Sequence, residues 1–175
     1  MINSERELED YICNNQEQFI KTLKTIYTKE KDIKFLGRQV RIGNNIADLI
    51  YYAKEEVSEA PFDILDIIIV ELKYRKLEPK DLAQISRYMS VLNEKIQSDE
   101  KYCGYETNIY GVFVSFGENE EMQEISINFN FDNIDFIEIE SNITFSKENW
   151  THSEQYIDSL KLDTRLEQIY GNSDN

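Results

Sequence analysis

The pattern of apolar and polar positions predicts an alternation of helices and strands. Apolar residues recur with helical spacing over 5–27, behind a capping box formed by Ser4 and Glu7. Residues 64–72 form a nearly continuous apolar run rich in Ile, which is typical of a central strand buried on both faces. The remaining predicted elements are strands at 35–42 and 46–52 joined across Gly43-Asn44-Asn45, a helix at 80–96, strands at 110–116, 125–131 and 134–139, and a closing helix at 153–170.

The order of these elements predicts the fold class. A strand–helix–strand unit within 64–116 needs a crossover connection, so its two strands should lie parallel, whereas the hairpin is antiparallel. We therefore expect an α/β fold with a mixed β-sheet flanked by helices. A length of 175 residues with no repeat and no flexible linker predicts a single domain. Its core would span about 4–116, with acidic strands and a helix at 117–175.

Charge is distributed unevenly along the chain. The net charge is −15, and residues 102–146 hold nine acidic side chains without a Lys or Arg, whereas residues 1–101 hold 16 basic and 19 acidic ones. An anionic partner should therefore meet the front half. Apolar runs are too short for a transmembrane helix, the N-terminus is acidic, and two cysteines are too few for a disulfide framework. We expect no membrane association and a cytoplasmic location.

Three charged residues lie where an apolar core would disfavour them. Asp48 interrupts a predicted strand, and Glu71 and Lys73 end the buried strand, where alternation puts them on one face and Leu72 on the other. Burying a lone carboxylate costs several kcal/mol. Two carboxylates and a lysine on one face become tolerable when a divalent cation binds between the acids, and Mg²⁺ prefers oxygen ligands.

An aspartate followed about two dozen residues later by Glu-x-Lys on a neighbouring strand resembles the signature of the PD-(D/E)xK nuclease superfamily. Ala47 stands where the name has proline. Gln84 and Tyr88 on the following helix resemble the Q-x-x-x-Y extension of RecB-like members. Residues 4–12 and 70–89 resemble the nuclease domain of EndoMS-type endonucleases. The resemblance covers about 4–116 and implies a restriction-endonuclease-like sheet.

The resemblance also implies an activity: hydrolysis of phosphodiester bonds, in DNA more than in RNA, with Mg²⁺ or Mn²⁺ as cofactor. The implied catalytic residues are Asp48, Glu71, Lys73 and Gln84. The implied metal ligands are Asp48, Glu71, the backbone carbonyl of Leu72 and an acid from the first helix. The residues expected to contact substrate are Arg75, Lys76, Lys80, Arg87 and Tyr88.

Two acids of the first helix compete for the additional ligand position. At 100° per residue, Glu5 lies about 40° and Glu9 about 80° from the centre of the apolar face. Glu5 is the first choice and Glu9 the second, because Glu7 is engaged in the cap.

Other readings stay open at this point. Glu–Lys pairs at strand ends are commonly solvated, and Arg75, Lys76 and Lys80 also fit an ordinary polar turn. The strong negative charge favours an alternative, a catalytically inactive nuclease-fold protein that acts as a binding or regulatory module. An RNase or a component of a defence system is a third reading. A homodimer or a recruiting protein partner would help so acidic a chain approach DNA.

Overall fold

The computed structural model describes residues 2–27, 31–58, 61–116, 120–128, 131 and 133–139. The helices in this part of the chain are α1 (Glu5–Asn14), α2 (Gln16–Ile26), α3 (Pro79–Ser98) and α4 (Glu120–Asn128), with a 3₁₀ turn at Glu100–Tyr102. The strands are β1 (Lys34–Ile42), β2 (Asn45–Glu55), β3 (Asp63–Lys73), β4 (Tyr105–Phe116) and β5 (Ile134–Ile139).

The five strands form one mixed sheet in the order β1-β2-β3-β4-β5. The first three are antiparallel neighbours, while β3 and β4, and β4 and β5, are parallel. β3 is the central strand, and it is buried from Leu65 to Lys73. The predicted α/β class with a mixed sheet flanked by helices is confirmed, as is the parallel pair on either side of α3.

Helices cover both faces of the sheet. On one face, Ile67 and Ile69 of β3 pack in a cluster with Ile85 of α3. On the other, Leu72 lies in a second cluster with Leu8 of α1. Successive side chains of β3 point to opposite faces of the sheet, so they pack alternately against the layer of α3 and the layer of α1. The site described below lies where β3 leaves the sheet between these two layers.

The predicted helix over 5–27 is two helices, which corrects the sequence-based boundary. Asn15 leaves the helical conformation at φ −123° and ψ 41°. Its side-chain amide donates to the Tyr11 carbonyl at 2.9 Å, and its own carbonyl accepts from Gln18 and Phe19. Asn15 thereby ends α1 and begins α2. A short polar side chain can do this because it hydrogen-bonds nearby backbone groups in place of the helical bonds. The Ser4 half of the predicted capping box is present, because Ser4 Oγ accepts from the Glu7 N–H at 3.2 Å, while Glu7 Oε2 accepts from the Asn3 N–H at 2.6 Å.

The strand predicted at 125–131 is wrong, because residues 120–128 form α4. The alternation of apolar and polar residues here fits a period of two, but the buried positions are Met122 and Ser126, four residues apart on a helix. Ile127 is 73% exposed, so an apolar residue at this position does not indicate a buried position. The strand at 134–139 is confirmed, and the helix at 153–170 lies outside the described residues. Among the helices described, none has the length and apolar character to cross a membrane.

Candidate active site

Asp48 and the end of β3 meet although 23 residues separate Asp48 from Glu71. β2 and β3 are antiparallel with Leu49 opposite Val70, which brings Asp48 beside Glu71. The backbone N–H of Leu72 donates to Asp48 Oδ2 at 2.8 Å. The sheet register therefore places the two acids side by side.

Glu71 is 1% exposed and belongs to the face that α3 covers. Its Oε2 accepts from Gln84 Nε2 at 3.1 Å and lies 3.4 Å from Lys73 Nζ. Its Oε1 is buried without a hydrogen-bond donor among the described residues. A buried carboxylate oxygen without a partner is costly, so this atom is a candidate ligand for a cation.

The three charges perturb one another. Burial, followed by repulsion from Asp48, raises the pKa of Glu71 to about 8, against the pull of Lys73. Burial also raises the pKa of Asp48, although the Leu72 N–H and Lys73 work in the other direction. Burial would lower the pKa of Lys73, but Glu71, Asp48 and Glu5 together raise it. Such mutual perturbation in one place is typical of functional sites.

α3 supplies the residues that support Glu71. Gln84 and Tyr88 are one helical turn apart, and Gln84 Nε2 donates to both Glu71 and the Tyr88 hydroxyl, the latter at 2.6 Å. Tyr88 is 5% exposed and packs in the core below. The amide of Gln84 is therefore held between a buried phenol and the carboxylate.

The start of α3 is anchored to the strand that carries the site. Arg75 donates to both carboxylate oxygens of Asp81 at 2.8 Å, and the Glu78 N–H donates to Asp81 Oδ2 at the same distance. Asp81 is 2% exposed. Arg75, predicted to contact substrate, is thus already engaged in a bidentate ion pair that fixes the turn between β3 and α3.

The other predicted substrate-contacting cations are peripheral. Lys80 Nζ lies 2.6 Å from Glu78 Oε2, in an exposed pair. Lys76 and Arg87 are exposed on the surface beside the site. Their predicted contacts with phosphates remain proposals.

The two acids of α1 differ in their surroundings. Glu5 is exposed, and its Oε1 accepts from the Tyr74 N–H at 3.4 Å, just beyond Lys73. Glu9 is 6% exposed and already binds Arg38 Nε at 2.9 Å and Gln39 Nε2 at 3.0 Å. The structure leaves Glu5 more available as an additional ligand.

Gln39 of β1 is a residue of this site that the sequence pattern did not indicate. Its Nε2 donates to Asp48 Oδ1 at 3.3 Å as well as to Glu9. Its place opposite Asp48 follows from the two-residue turn at Gly43-Asn44, in which Ile42 pairs with Asn45. The three-residue connection predicted from the sequence would put Val40 opposite Asp48 instead. The residue was missed because a lone Gln in a strand suggests an exposed position.

The donor set fits a hard divalent cation with few protein ligands. In the part of the chain that the structure describes, no group of three or more His, Cys, Asp or Glu side chains is arranged to hold a metal ion. The site instead offers two carboxylates and the backbone carbonyl of Leu72, with the unpartnered Glu71 oxygen among them. Mg²⁺ is commonly bound by one or two carboxylates, with the rest of its shell left to water and phosphate.

Comparison with known proteins identifies similar folds. A repair endonuclease from Pyrococcus abyssi has a TM-score of 0.48 and 20% identity, over 80% of this chain and 48% of that one. An EndoMS–dsDNA complex has a TM-score of 0.38 and 20% identity, over 71% and 44%. MspJI restriction endonuclease with a 27-mer oligonucleotide has a TM-score of 0.40 and 13% identity, over 77% and 28%.

Each of these is a partial likeness of fold. The chain spans less than half the length of each of them. The sequence matches no protein-family model and no curated protein.

Proposed function

We propose that this chain is a nuclease that hydrolyses phosphodiester bonds in DNA with Mg²⁺ or Mn²⁺. The observation that carries the proposal is the Asp48–Glu71 pair with Lys73 beside it, in which one oxygen of Glu71 is buried without a donor. Burial raises the pKa of both acids, and repulsion from Asp48 adds to the rise for Glu71, so the pair is a poor structural element without a counter-charge. They form a good ligand pair for a divalent cation.

Each residue would have a separate task. Asp48, Glu71 and the Leu72 carbonyl would hold the metal, which when bound supplies Lewis-acid stabilisation of charge on the phosphate. Lys73, an ammonium next to Glu71, would orient the attacking water and stabilise the charge that develops in the transition state. Gln84 would keep Glu71 in one orientation, and Tyr88 would hold Gln84 from below.

The approach of DNA would depend on a small number of cations. Lys76, Lys80 and Arg87 are exposed near the site and are proposed to contact phosphates, with Arg75 held beside them. Phosphate contacts supply most non-specific affinity and weaken with salt. Because the net charge is −15, we expect the chain to bind duplex DNA weakly at physiological salt. A homodimer or a recruiting protein would supply further basic surface, in the cytoplasm where the sequence predicts the chain to reside.

A cleavage assay tests the proposal. Plasmid and branched DNA are incubated with the wild type and with Glu71→Gln and Lys73→Met, each with Mn²⁺, with Mg²⁺ or with chelator. Glu106→Gln is the matched control, because Glu106 is exposed and pairs with Ile64 at the other end of the parallel strands. We expect cleavage by the wild type and the control only. Equal cleavage by all four proteins would identify a contaminant and remove the assignment.

A second candidate is a nuclease-fold module that binds a partner without cutting. It is favoured by the −15 net charge and by the lack, among the described residues, of a site with three acidic, Cys or His ligands. Calorimetry with Mn²⁺ separates the two candidates. Binding that is lost in Glu71→Gln supports the nuclease, and no binding at millimolar Mn²⁺ supports the non-cleaving module.

A further inference from the structure

Gln39 has an unusual backbone for a residue in a strand. Its φ is 49°, and among the residues that the structure describes it is the only residue other than glycine with a positive φ. Left-handed φ is disfavoured for a side chain of this size and recurs at functional sites. The register places Arg38 opposite Leu49 and Val40 opposite Ala47, so Gln39 lies across from Asp48.

The side-chain amide of Gln39 joins two carboxylates from different elements. Its Nε2 lies 3.0 Å from Glu9 Oε2 on α1 and 3.3 Å from Asp48 Oδ1 on β2. An amide nitrogen carries two hydrogens, so it can donate one to each carboxylate. Two like charges brought to one donor repel each other, and the charge of Asp48 adds to the effect of burial in raising the pKa of Glu9. The amide therefore holds together two groups that would otherwise separate.

The neutrality of this donor matters for the site. Arg38 already pairs with Glu9 at 2.9 Å and with Asp10 at 3.0 Å. A second cation at position 39 would pair with Asp48 and remove the negative charge that attracts a divalent ion. Gln39 is neutral, so it orients the Asp48 carboxylate and leaves the negative charge of that carboxylate available to a cation.

We propose that Gln39 is a positioning residue that fixes the orientation of Asp48 for metal binding, an inference that rests on the proposed nuclease function. Asp48 is held at both oxygens, by the Leu72 N–H at Oδ2 and by Gln39 at Oδ1. Each oxygen keeps one further lone pair, and the two donors oppose rotation of the carboxylate plane. The left-handed backbone of Gln39 is what brings its side chain to this position.

Two substitutions separate this role from a contribution to folding. Gln39→Leu keeps the volume and the strained backbone but removes the donor. Gln39→Gly removes the donor and also relieves the positive φ. Arg41→Gly on the same strand is the control, because Arg41 is exposed and a strand glycine there weakens the fold without touching the site. Melting temperature is measured without metal, and the Mn²⁺ dissociation constant is measured by calorimetry.

We expect the Mn²⁺ dissociation constant to rise about 10- to 100-fold in both Gln39 variants, the usual effect of removing a group that orients a ligand. The melting temperature of Gln39→Gly should exceed that of Gln39→Leu, while Arg41→Gly should melt earlier and bind Mn²⁺ normally. Wild-type affinity in Gln39→Gly would overturn the inference even if Gln39→Leu were impaired. If the wild type binds Mn²⁺ and both Gln39 variants bind it equally well, the inference about Gln39 is overturned and the proposed function stands. If the wild type neither binds Mn²⁺ nor cleaves DNA, the proposed function is overturned as well.

Discussion

The backbone N–H of Leu72 donates to the Asp48 carboxylate at 2.8 Å. This bond links the aspartate of β2 to the residue between Glu71 and Lys73, so the acid and the Glu-x-Lys segment cannot move independently. One hydrogen bond therefore fixes the spacing between the proposed metal ligands.

Asp48→Asn should separate stability from activity. The carboxylate is costly in the metal-free fold, because burial raises its pKa and Glu5 adds repulsion. The amide keeps an acceptor oxygen for the Leu72 N–H, and its NH₂ group faces Gln39, whose own amide can turn to accept from it. We expect metal-free melting to rise by about 2–4 °C, which corresponds to about 1 kcal/mol for a chain of this size. Cleavage should fall at least ~100-fold. Equal losses of stability and activity would contradict this prediction, with Glu106→Gln again as control.

The metal-free protein should lose stability as the pH rises. The pKa of Glu71 is raised from 4.5 to about 8, so between these values the folded state binds more protons than the unfolded state. Stability therefore falls as the pH rises through this window, the reverse of the behaviour of an ion-paired carboxylate. Melting curves in chelator from pH 4.5 to 8 should show this decline in the wild type and a flatter profile in Glu71→Gln. The same dependence of melting temperature on pH in the wild type and in Glu71→Gln would contradict this prediction.

The ion pair of Arg75 with Asp81 should stabilise the junction between β3 and α3. Asp81→Ala leaves Arg75 and the Glu78 N–H without their buried acceptor. We expect a loss of about 2 kcal/mol in the free energy of unfolding, the scale of hydrogen bonds to a charged group. Urea denaturation measures it, with Glu94→Ala on the exposed side of α3 as a control that should change stability by less than about 0.5 kcal/mol. A loss no larger than that of the control would show that the pair is solvated.

Gly111 should be required for the close approach of α3 to β4. A Cβ at this position would lie 2.9 Å from Ile85 Cδ1 and 3.1 Å from Met89 Sδ. We expect Gly111→Ala to cost about 1–2 kcal/mol, as overpacked cores do, and to weaken cleavage by shifting the neighbouring Gln84. Gly104→Ala is the control, because nothing lies within 4 Å of its Cβ position. Equal stability of the two variants in urea would contradict this prediction.

The central part of the fold could be predicted because its signals are local. A long Ile-rich run is typical of a strand buried on both faces, and the crossover after it implies a parallel neighbour. Asp48, Glu71 and Lys73 stood out because charges interrupt apolar strands only at a cost. The strand assigned to 125–131 failed because Ser126 is buried and Ile127 exposed, the reverse of what their chemistry suggests.

The support around the site could not be predicted in the same way. Gln39 acts through an unusual φ and a cross-strand position, neither of which leaves a periodic pattern in the sequence. The engagement of Arg75 by Asp81 depends on how the chain turns between β3 and α3. Asn15 was missed as a helix boundary because the apolar spacing continues across it into α2.

The central claim, a divalent cation held between Asp48 and Glu71, is tested most directly by a crystal soaked in Mn²⁺ and measured for anomalous scattering. The account predicts a strong peak contacted by both carboxylates in the wild type and its disappearance in Glu71→Gln. A wild-type crystal with no peak there at millimolar Mn²⁺, or with a peak that Glu71→Gln retains, would contradict it.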